Sequence, residues 1–153
     1  MNIAILHGPN LNLLGRREPA LYGHSTLAQI DEAVGRLAAE LGIAVQMYQS
    51  NAEGDLIDYI HEVAARVDGF VVNAAGLTHT SVSLRDALTG VDRPFVEVHL
   101  SNPSAREPFR RESLLTDVAT GVVAGFGADS YLLGLRGLVA RITASDAAAG
   151  PGS

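Results

Sequence analysis

The sequence contains no cysteine and no lysine, because all 11 of its basic residues are arginine. Without cysteine the chain cannot form a disulfide, use a thiol nucleophile, hold an iron–sulfur cluster or bind zinc through sulfur. Without lysine it can neither form a Schiff base with a carbonyl substrate nor build a phosphate-binding P-loop. These two absences remove several common kinds of enzyme chemistry.

The sequence also lacks a long apolar run and a basic leader. No apolar stretch approaches the ~18 residues that a membrane-spanning helix needs. The opening "MNIAILHGPN" has no A-x-A cleavage site and is predicted to be a strand, so a cytoplasmic location without membrane contact is expected. With a net charge of −6 and a pI near 5.2, general nucleic-acid binding is not expected. An anionic small molecule would need a local cluster of arginines.

Strand and helix patterns alternate five times along the 153 residues. Each predicted strand is a continuous apolar run, which is typical of a parallel sheet covered on both faces. We therefore predict an α/β fold, a flavodoxin-like doubly wound five-stranded parallel sheet of order 2-1-3-4-5. Residues 1–144 are expected to form a single catalytic domain, and 145–153 a disordered tail with little to bury.

The predicted element boundaries follow from apolar periodicity and end signals. Thr26 and Gln29 can form a capping box at the start of the first helix, and Gly42 can end it. The predicted strands are 2–8, 43–50, 69–76, 93–101 and 120–127. The predicted helices are 25–42, 54–67, 81–90 and 128–142, with a short helix or helical turn at 105–115.

One segment, "GPNLNLLGRREPALYG" at 8–23, is long, polar and aperiodic, and it directly follows the first strand. In doubly wound sheets ligands bind beyond the carboxyl ends of the strands, near the point where the strand order reverses. The loops after strands 1, 3 and 4 would converge there. We therefore predict that this segment contributes to a binding site and that residues 16–24 act as a mobile lid.

Tyr22 follows Arg16 and Arg17 within this segment. A neutral phenol is a poor base, but a nearby guanidinium favours the phenolate. Tyr22 is therefore a candidate general base. At the end of strand 4, Glu97 lies two residues before His99, so the two side chains share one face of the strand. Glu97 could orient the imidazole of His99 and keep it protonated as a general acid.

Other polar residues near the predicted strand ends are candidates for substrate contacts. Asn10 and Asn73 are neutral donors suited to a carboxylate or an oxyanion. Arg110 could bind a hydroxyl or a carboxylate. Taken singly, each of these residues, together with His79 and Asp86, also has an ordinary structural explanation. No histidine–carboxylate spacing typical of a metal site occurs, so no metal is expected.

Several blocks in order resemble type II 3-dehydroquinate dehydratase over about residues 3 to 140. They are "HGPNLNLLGRREPALYG", "QSNAEGDLIDYIHE", "NAAGLTHTSVSLRDAL", "VEVHLSNPSAREPFRRES" and "GADSYLLGL". The resemblance implies reversible loss of water from 3-dehydroquinate, the third step of the shikimate route to aromatic compounds. It implies an enolate intermediate, no cofactor and no metal. The absence of lysine independently excludes the Schiff-base route of the unrelated type I enzymes.

The resemblance also implies roles for individual residues. Tyr22 matches the base, Arg17 the lid arginine that keeps it ionised, His99 the acid, Glu97 its support, and Asn10 the residue that holds a water against the enolate. The implied substrate ligands are Asn73 with the backbone amides of Leu100 and Ser101 for the carboxylate, and His79 and Arg110 for the ring hydroxyls. Asp86 matches an acid that reaches a neighbouring subunit, and the family is typically a dodecamer, a tetramer of trimers.

The chain departs from the family pattern at a few positions, and its residues also argue against three rival functions. Ala74 and Ala75 stand where members often have Pro and Gly. A receiver-type signalling module would need an acidic cluster, an aspartate after strand 3 and a lysine after strand 5, which the chain lacks. A flavin-binding electron carrier would need a phosphate loop rich in Ser, Thr and Gly after strand 1. A homologue without activity is disfavoured by the intact Tyr22, Arg17 and His99.

Overall fold

The computed structural model describes residues 1–150 and contains one five-stranded parallel sheet. Its strand order is β2-β1-β3-β4-β5, so the predicted fold class and strand order are confirmed. The strands are β1 (Asn2–His7), β2 (Ala44–Gln49), β3 (Gly69–Asn73), β4 (Phe95–His99) and β5 (Gly121–Ala124).

Helices connect the strands and cover both faces of the sheet. They are α1 (Pro19–Tyr22), α2 (Leu27–Leu41), α3 (Glu53–Val63), α4 (Val82–Gly90) and α5 (Asp129–Ala149). Short 3₁₀ turns occur at Leu11–Leu13, Ala75–His79, Pro103–Ala105 and Pro108–Arg110. The helical turn predicted at 105–115 is thus two separate 3₁₀ turns, because Pro103 and Pro108 each start a new turn. The aperiodic segment 8–23 also contains two short helical elements that its pattern did not predict.

Alternate residues of each strand feed two hydrophobic cores, one on each face of the sheet. On β1, Ile3 and Ile5 pack with apolar residues of α2 and α5. Ala4 and Leu6 face the opposite side and pack with residues of α3 and α4. Full burial of a Leu or Ile side chain stabilises the fold by roughly 1.5–3 kcal/mol. The two cores together fix the position of the sheet whose carboxyl edge carries the candidate site.

The ends of α2 match the predicted signals. The Thr26 hydroxyl accepts a hydrogen bond from the Gln29 backbone N–H, and the Gln29 side chain accepts one from the Thr26 N–H, which completes the capping box. Gly42 adopts a left-handed conformation with φ of 69° and ends the helix.

Residues 145–149 of the predicted tail belong to helix α5 in the structure. Helix α5 continues to Ala149, through the exposed run "TASDAAA". The prediction considered only what the tail could bury, whereas alanine favours helix without burial and can extend a helix that is already anchored. Residues 151–153 of the predicted tail lie outside the described residues.

Gly8 fixes how closely β1 approaches the loop after β3. Its backbone N–H donates to the Asn73 carbonyl at 2.7 Å. A Cβ atom at Gly8 would lie 2.5 Å from the Ala74 carbonyl oxygen, closer than any real contact permits. Only glycine therefore lets the two loops that follow β1 and β3 meet at the edge of the sheet.

Candidate active site

A cleft of about 150 Å³ lies at the carboxyl edge of the sheet, between the loops that follow β1, β3 and β4. Most of the predicted site residues line it, namely Asn10, Arg17, Tyr22, Asn73, His79, His99, Leu100, Ser101 and Arg110. Two predicted residues do not: Glu97 is buried beneath His99, and Asp86 is exposed on α4.

The lining of the cleft is cationic although the whole chain is acidic. Arg17, Arg106 and Arg110 line it, and no Asp or Glu does so within residues 1–150. The charged groups that line the cleft are therefore of the opposite sign to the net charge of −6 on the molecule, although Glu18 and Glu107 lie beside these arginines. These three arginines form the local cluster that binding of an anionic ligand by this acidic chain would need.

Two guanidinium groups lie close to the Tyr22 ring. The Cζ atom of Arg17 is 5.4 Å from the centre of the Tyr22 ring, and the Cζ atom of Arg106 is 5.3 Å from it. Both distances are within cation–π range. The tyrosine is the last residue of α1, which Pro19 starts and Gly23, with φ of 80°, ends.

Arg106 was not among the site residues predicted from the sequence, because it lies far from Tyr22 along the chain. Its guanidinium donates to the Ser101 hydroxyl at 3.4 Å, and its Nε lies 3.8 Å from a Glu107 oxygen. These partners hold the side chain against the Tyr22 ring. Arg16, by contrast, is exposed and does not line the cleft.

His99 and Glu97 form the pair that the strand alternation predicted. The His99 Nε2 lies 3.0 Å from Glu97 Oε1, and the Glu97 side chain is fully buried. Burial alone would raise the pKa of Glu97, but hydrogen bonds from His99, Ser113 and Thr116 outweigh it and hold the pKa below its usual range. Glu97 is therefore a carboxylate that orients the imidazole at the edge of the cleft.

The two predicted asparagines are fixed by different backbone contacts. Asn73 is buried, and its Oδ1 accepts a hydrogen bond from the Ala75 N–H at 3.1 Å. Asn10 has a left-handed backbone with φ of 69°, and its N–H donates to the Asn51 side chain at 2.9 Å. Asparagine tolerates this conformation better than most residues. Ala75 adopts it too, with φ of 52°, which explains why a glycine is common there in the pattern that the sequence resembles.

His79 and Arg110 are also held by neighbours. The His79 Nδ1 donates to the Glu112 carbonyl at 2.6 Å, which leaves Nε2 as the ring nitrogen for another partner. The Arg110 Nε donates to Glu107 at 2.8 Å, while the side chain still lines the cleft.

Within residues 1–150 no cluster of three potential metal ligands occurs, and no helix is long and apolar enough to cross a bilayer.

Fold and site together define a class of protein: a flavodoxin-like α/β protein with a small cationic cleft at the carboxyl edge of its sheet. The family profile described as "Dehydroquinase class II" matches residues 1–139. The 3-dehydroquinate dehydratase of Xanthomonas oryzae pv. oryzae strain PXO99A is 58% identical over 144 residues, covering 92% of this chain and 96% of the relative.

A second relative and a solved structure agree with this match. The 3-dehydroquinate dehydratase of Synechococcus sp. strain CC9605 is 51% identical over 142 residues, covering 93% of this chain and 97% of the relative. The type II dehydroquinase of Butyrivibrio crossotus DSM 2876 superposes with a TM-score of 0.89 at 38% identity, covering 91% of this chain and 97% of that one. The chain belongs to the class II dehydroquinase family.

Proposed function

We propose that the protein is a 3-dehydroquinate dehydratase, which removes water from 3-dehydroquinate to give 3-dehydroshikimate. Family membership and the 58% identity to a protein of that name support the assignment. The observation that carries it is the content of a single cleft: a tyrosine with two guanidinium groups close to its ring, and a histidine bonded to a buried carboxylate. One base and one acid are what an elimination of water requires.

The reaction begins with proton removal by Tyr22. Its phenolate takes the proton alpha to the substrate ketone, and the charges of Arg17 and Arg106 stabilise that anionic form of the tyrosine. The carbon then shares its electron pair with the ketone as an enolate. Asn10, at the start of the segment that follows β1, holds a water against the enolate oxygen and so lowers the cost of its negative charge.

The second step expels the hydroxyl group. The enolate electrons form the new double bond, the carbon–oxygen bond breaks, and protonated His99 gives its proton to the departing oxygen, which leaves as water. Glu97 stabilises the imidazolium before this transfer. Each turnover leaves a proton on Tyr22 and takes one from His99, and exchange with solvent restores both groups.

The remaining groups of the cleft bind the substrate. Asn73 and the backbone N–H groups of Leu100 and Ser101 receive the carboxylate, which the cationic field also attracts. His79, through its free Nε2, and Arg110 bind the ring hydroxyls. The chemistry needs no cofactor and no metal.

In the proposed function, Asp86 of one subunit contributes to the site of a second subunit. It lies on the exposed surface of α4, outside the cleft of its own chain. An acid there completes a neighbouring site only in a homo-oligomer, and we propose a dodecamer built as a tetramer of trimers, acting in the cytoplasm. Sedimentation of a monomer at working concentrations would exclude this part of the proposal.

The direct test is to mix the protein with 3-dehydroquinate and follow the near-ultraviolet absorbance of the conjugated enone product. Borohydride added with substrate should leave the activity intact, because no imine forms. Tyr22→Phe and Arg17→Ala should lose most of kcat and stay folded, while Arg16→Ala, the neighbouring exposed arginine, should turn over normally. If the wild-type protein forms no enone, the proposed function is wrong. If Tyr22→Phe keeps the wild-type rate, the base assignment is wrong.

A further inference from the structure

A second polar cluster lies inside the protein, and the proposed reaction does not use it. It consists of His7 at the end of β1, Tyr131 on α5 and Asp31 on α2. The His7 Nδ1 is 2.7 Å from the Tyr131 hydroxyl, and the His7 Nε2 is 2.8 Å from Asp31 Oδ1. His7 is 1% exposed and Tyr131 is fully buried, whereas Asp31 reaches the surface of α2. Burying polar groups costs free energy, so three polar side chains that are hydrogen-bonded to one another inside the protein indicate a function.

The chemistry of the three groups fixes the direction of the chain of hydrogen bonds. The Asp31 carboxylate can only accept, so the His7 Nε2 carries a hydrogen and donates it. In the neutral imidazole, Nδ1 is then an acceptor, and the Tyr131 hydroxyl donates to it. The hydroxyl oxygen of Tyr131 keeps its lone pairs for a donor from another direction.

The polar group beside this cluster on the neighbouring strand is the Asn73 carboxamide. His7 and Asn73 are paired on the adjacent strands β1 and β3, and Asn73 lines the cleft. Burial raises the pKa of Tyr131 well above its usual value, and a hydrogen bond with the Asn73 side chain acts in the opposite direction. Tyr131 is thus a neutral phenol, and the amide nitrogen is the group of Asn73 that is left to donate to its oxygen. The amide oxygen is already bound by the Ala75 N–H.

We propose that Asp31, His7 and Tyr131 are positioning residues, forming a relay that fixes the side-chain orientation of Asn73 so that its remaining N–H points at the substrate carboxylate. The relay works through the tautomer of His7. Asp31 accepts from Nε2 and so leaves Nδ1 as the acceptor for the Tyr131 hydroxyl. The hydroxyl oxygen can then accept only from a donor, which is the nitrogen of the Asn73 amide and not its oxygen. This inference rests on the proposed function for the identity of the anion, and it adds a layer behind the cleft that reaches the far surface of α2.

The test compares variants that change the relay without touching the cleft. Tyr131→Phe keeps the ring and removes the acceptor for Asn73, so KM for 3-dehydroquinate should rise about five-fold, the effect of one lost hydrogen bond, while kcat changes by less than about two-fold. Asp31→Ala, which alters a surface residue of α2, should raise KM in the same direction. The matched controls are Tyr59→Phe, a tyrosine bonded to Gln46 on β2, and Glu32→Ala next to Asp31. Both should leave KM unchanged.

The outcomes separate the relay from a structural role. A structural role would lower the melting temperature and leave KM of the folded enzyme unchanged, and that result in both variants would overturn the proposal. A loss confined to kcat would also overturn it. If the wild-type protein has no dehydratase activity, the proposed function fails, and a crystal structure of Tyr131→Phe then decides about the relay. A rotated Asn73 side chain supports it, and one in the original position, with its nitrogen facing the tyrosine ring, overturns it.

Discussion

Replacing Glu97 by Gln isolates the electrostatic role of this carboxylate from its role in packing. The amide has nearly the same shape as the carboxylate. Its oxygen can still accept from His99 and Ser113, and the Thr116 hydroxyl can rotate to accept from the new NH₂ group. The change therefore removes one negative charge from beneath the imidazole and leaves the surrounding hydrogen bonds in place.

The size of the effect follows from the distance between the two groups. At 3.0 Å and an effective dielectric constant of about 20, the attraction between the carboxylate and an imidazolium is about 5 kcal/mol. Because His99 touches the open cleft, solvent screens part of this attraction. Since 1.36 kcal/mol corresponds to a factor of ten in rate, we expect kcat of Glu97→Gln to fall about 100- to 1,000-fold at neutral pH.

The assay is the enone absorbance under substrate saturation, with thermal unfolding measured on the same samples. KM should change little, because Glu97 does not line the cleft. The matched control is Glu32→Gln, which makes the same chemical change in an exposed glutamate paired with Arg36, and it should retain full activity. A folded Glu97→Gln protein with a wild-type kcat would refute the idea that this carboxylate keeps His99 ready to donate a proton.

Three further outcomes are expected. Arg106→Ala removes one of the charges proposed to stabilise the phenolate, so kcat in the enone assay should fall about 10-fold or more. An unchanged kcat would show that Arg106 does not act in the site. Hydrogen bonds hold the pKa of Glu97 below its usual range, so the Glu97 carboxylate stabilises the native state above about pH 4.3, and this stabilisation is lost as the pH falls further. The free energy of unfolding in urea should therefore fall with pH in the wild type and fall less steeply in Glu97→Gln. Gly8→Ala should destabilise the fold by about 1–3 kcal/mol because of the clash with Ala74, whereas Gly35→Ala, in open space within α2, should stabilise it by about 0.5–1 kcal/mol; equal urea midpoints for the two would contradict the close approach.

The fold could be predicted from the sequence because its signals are local and repeated. Continuous apolar runs predicted buried parallel strands, and the caps at Thr26 and Gly42 predicted the ends of α2 correctly. The end of α5 could not be predicted in the same way. Burial carries no information about the exposed alanines near Ala149, whose helical state depends on continuation from the packed part of the helix.

The site was predictable only where chemistry coincided with sequence proximity or with the family pattern. Glu97 and His99 are two residues apart on one strand, so their contact follows from strand geometry. Arg106 meets Tyr22 only in the folded chain, and its irregular segment has no periodicity to show where it points. His7 lies within an apolar run, where a single polar residue gives no sign of its partner Tyr131, 124 residues away.

The cleft takes its parts from distant stretches of the chain, from Asn10 in the first loop to Arg110 beyond the fourth strand. During synthesis, a growing polypeptide therefore has no competent pocket until the ribosome has released more than two-thirds of it. Fragments that end before His99 contain Tyr22 and Arg17 but lack the proposed acid. An incomplete chain is therefore expected neither to bind the substrate nor to convert it.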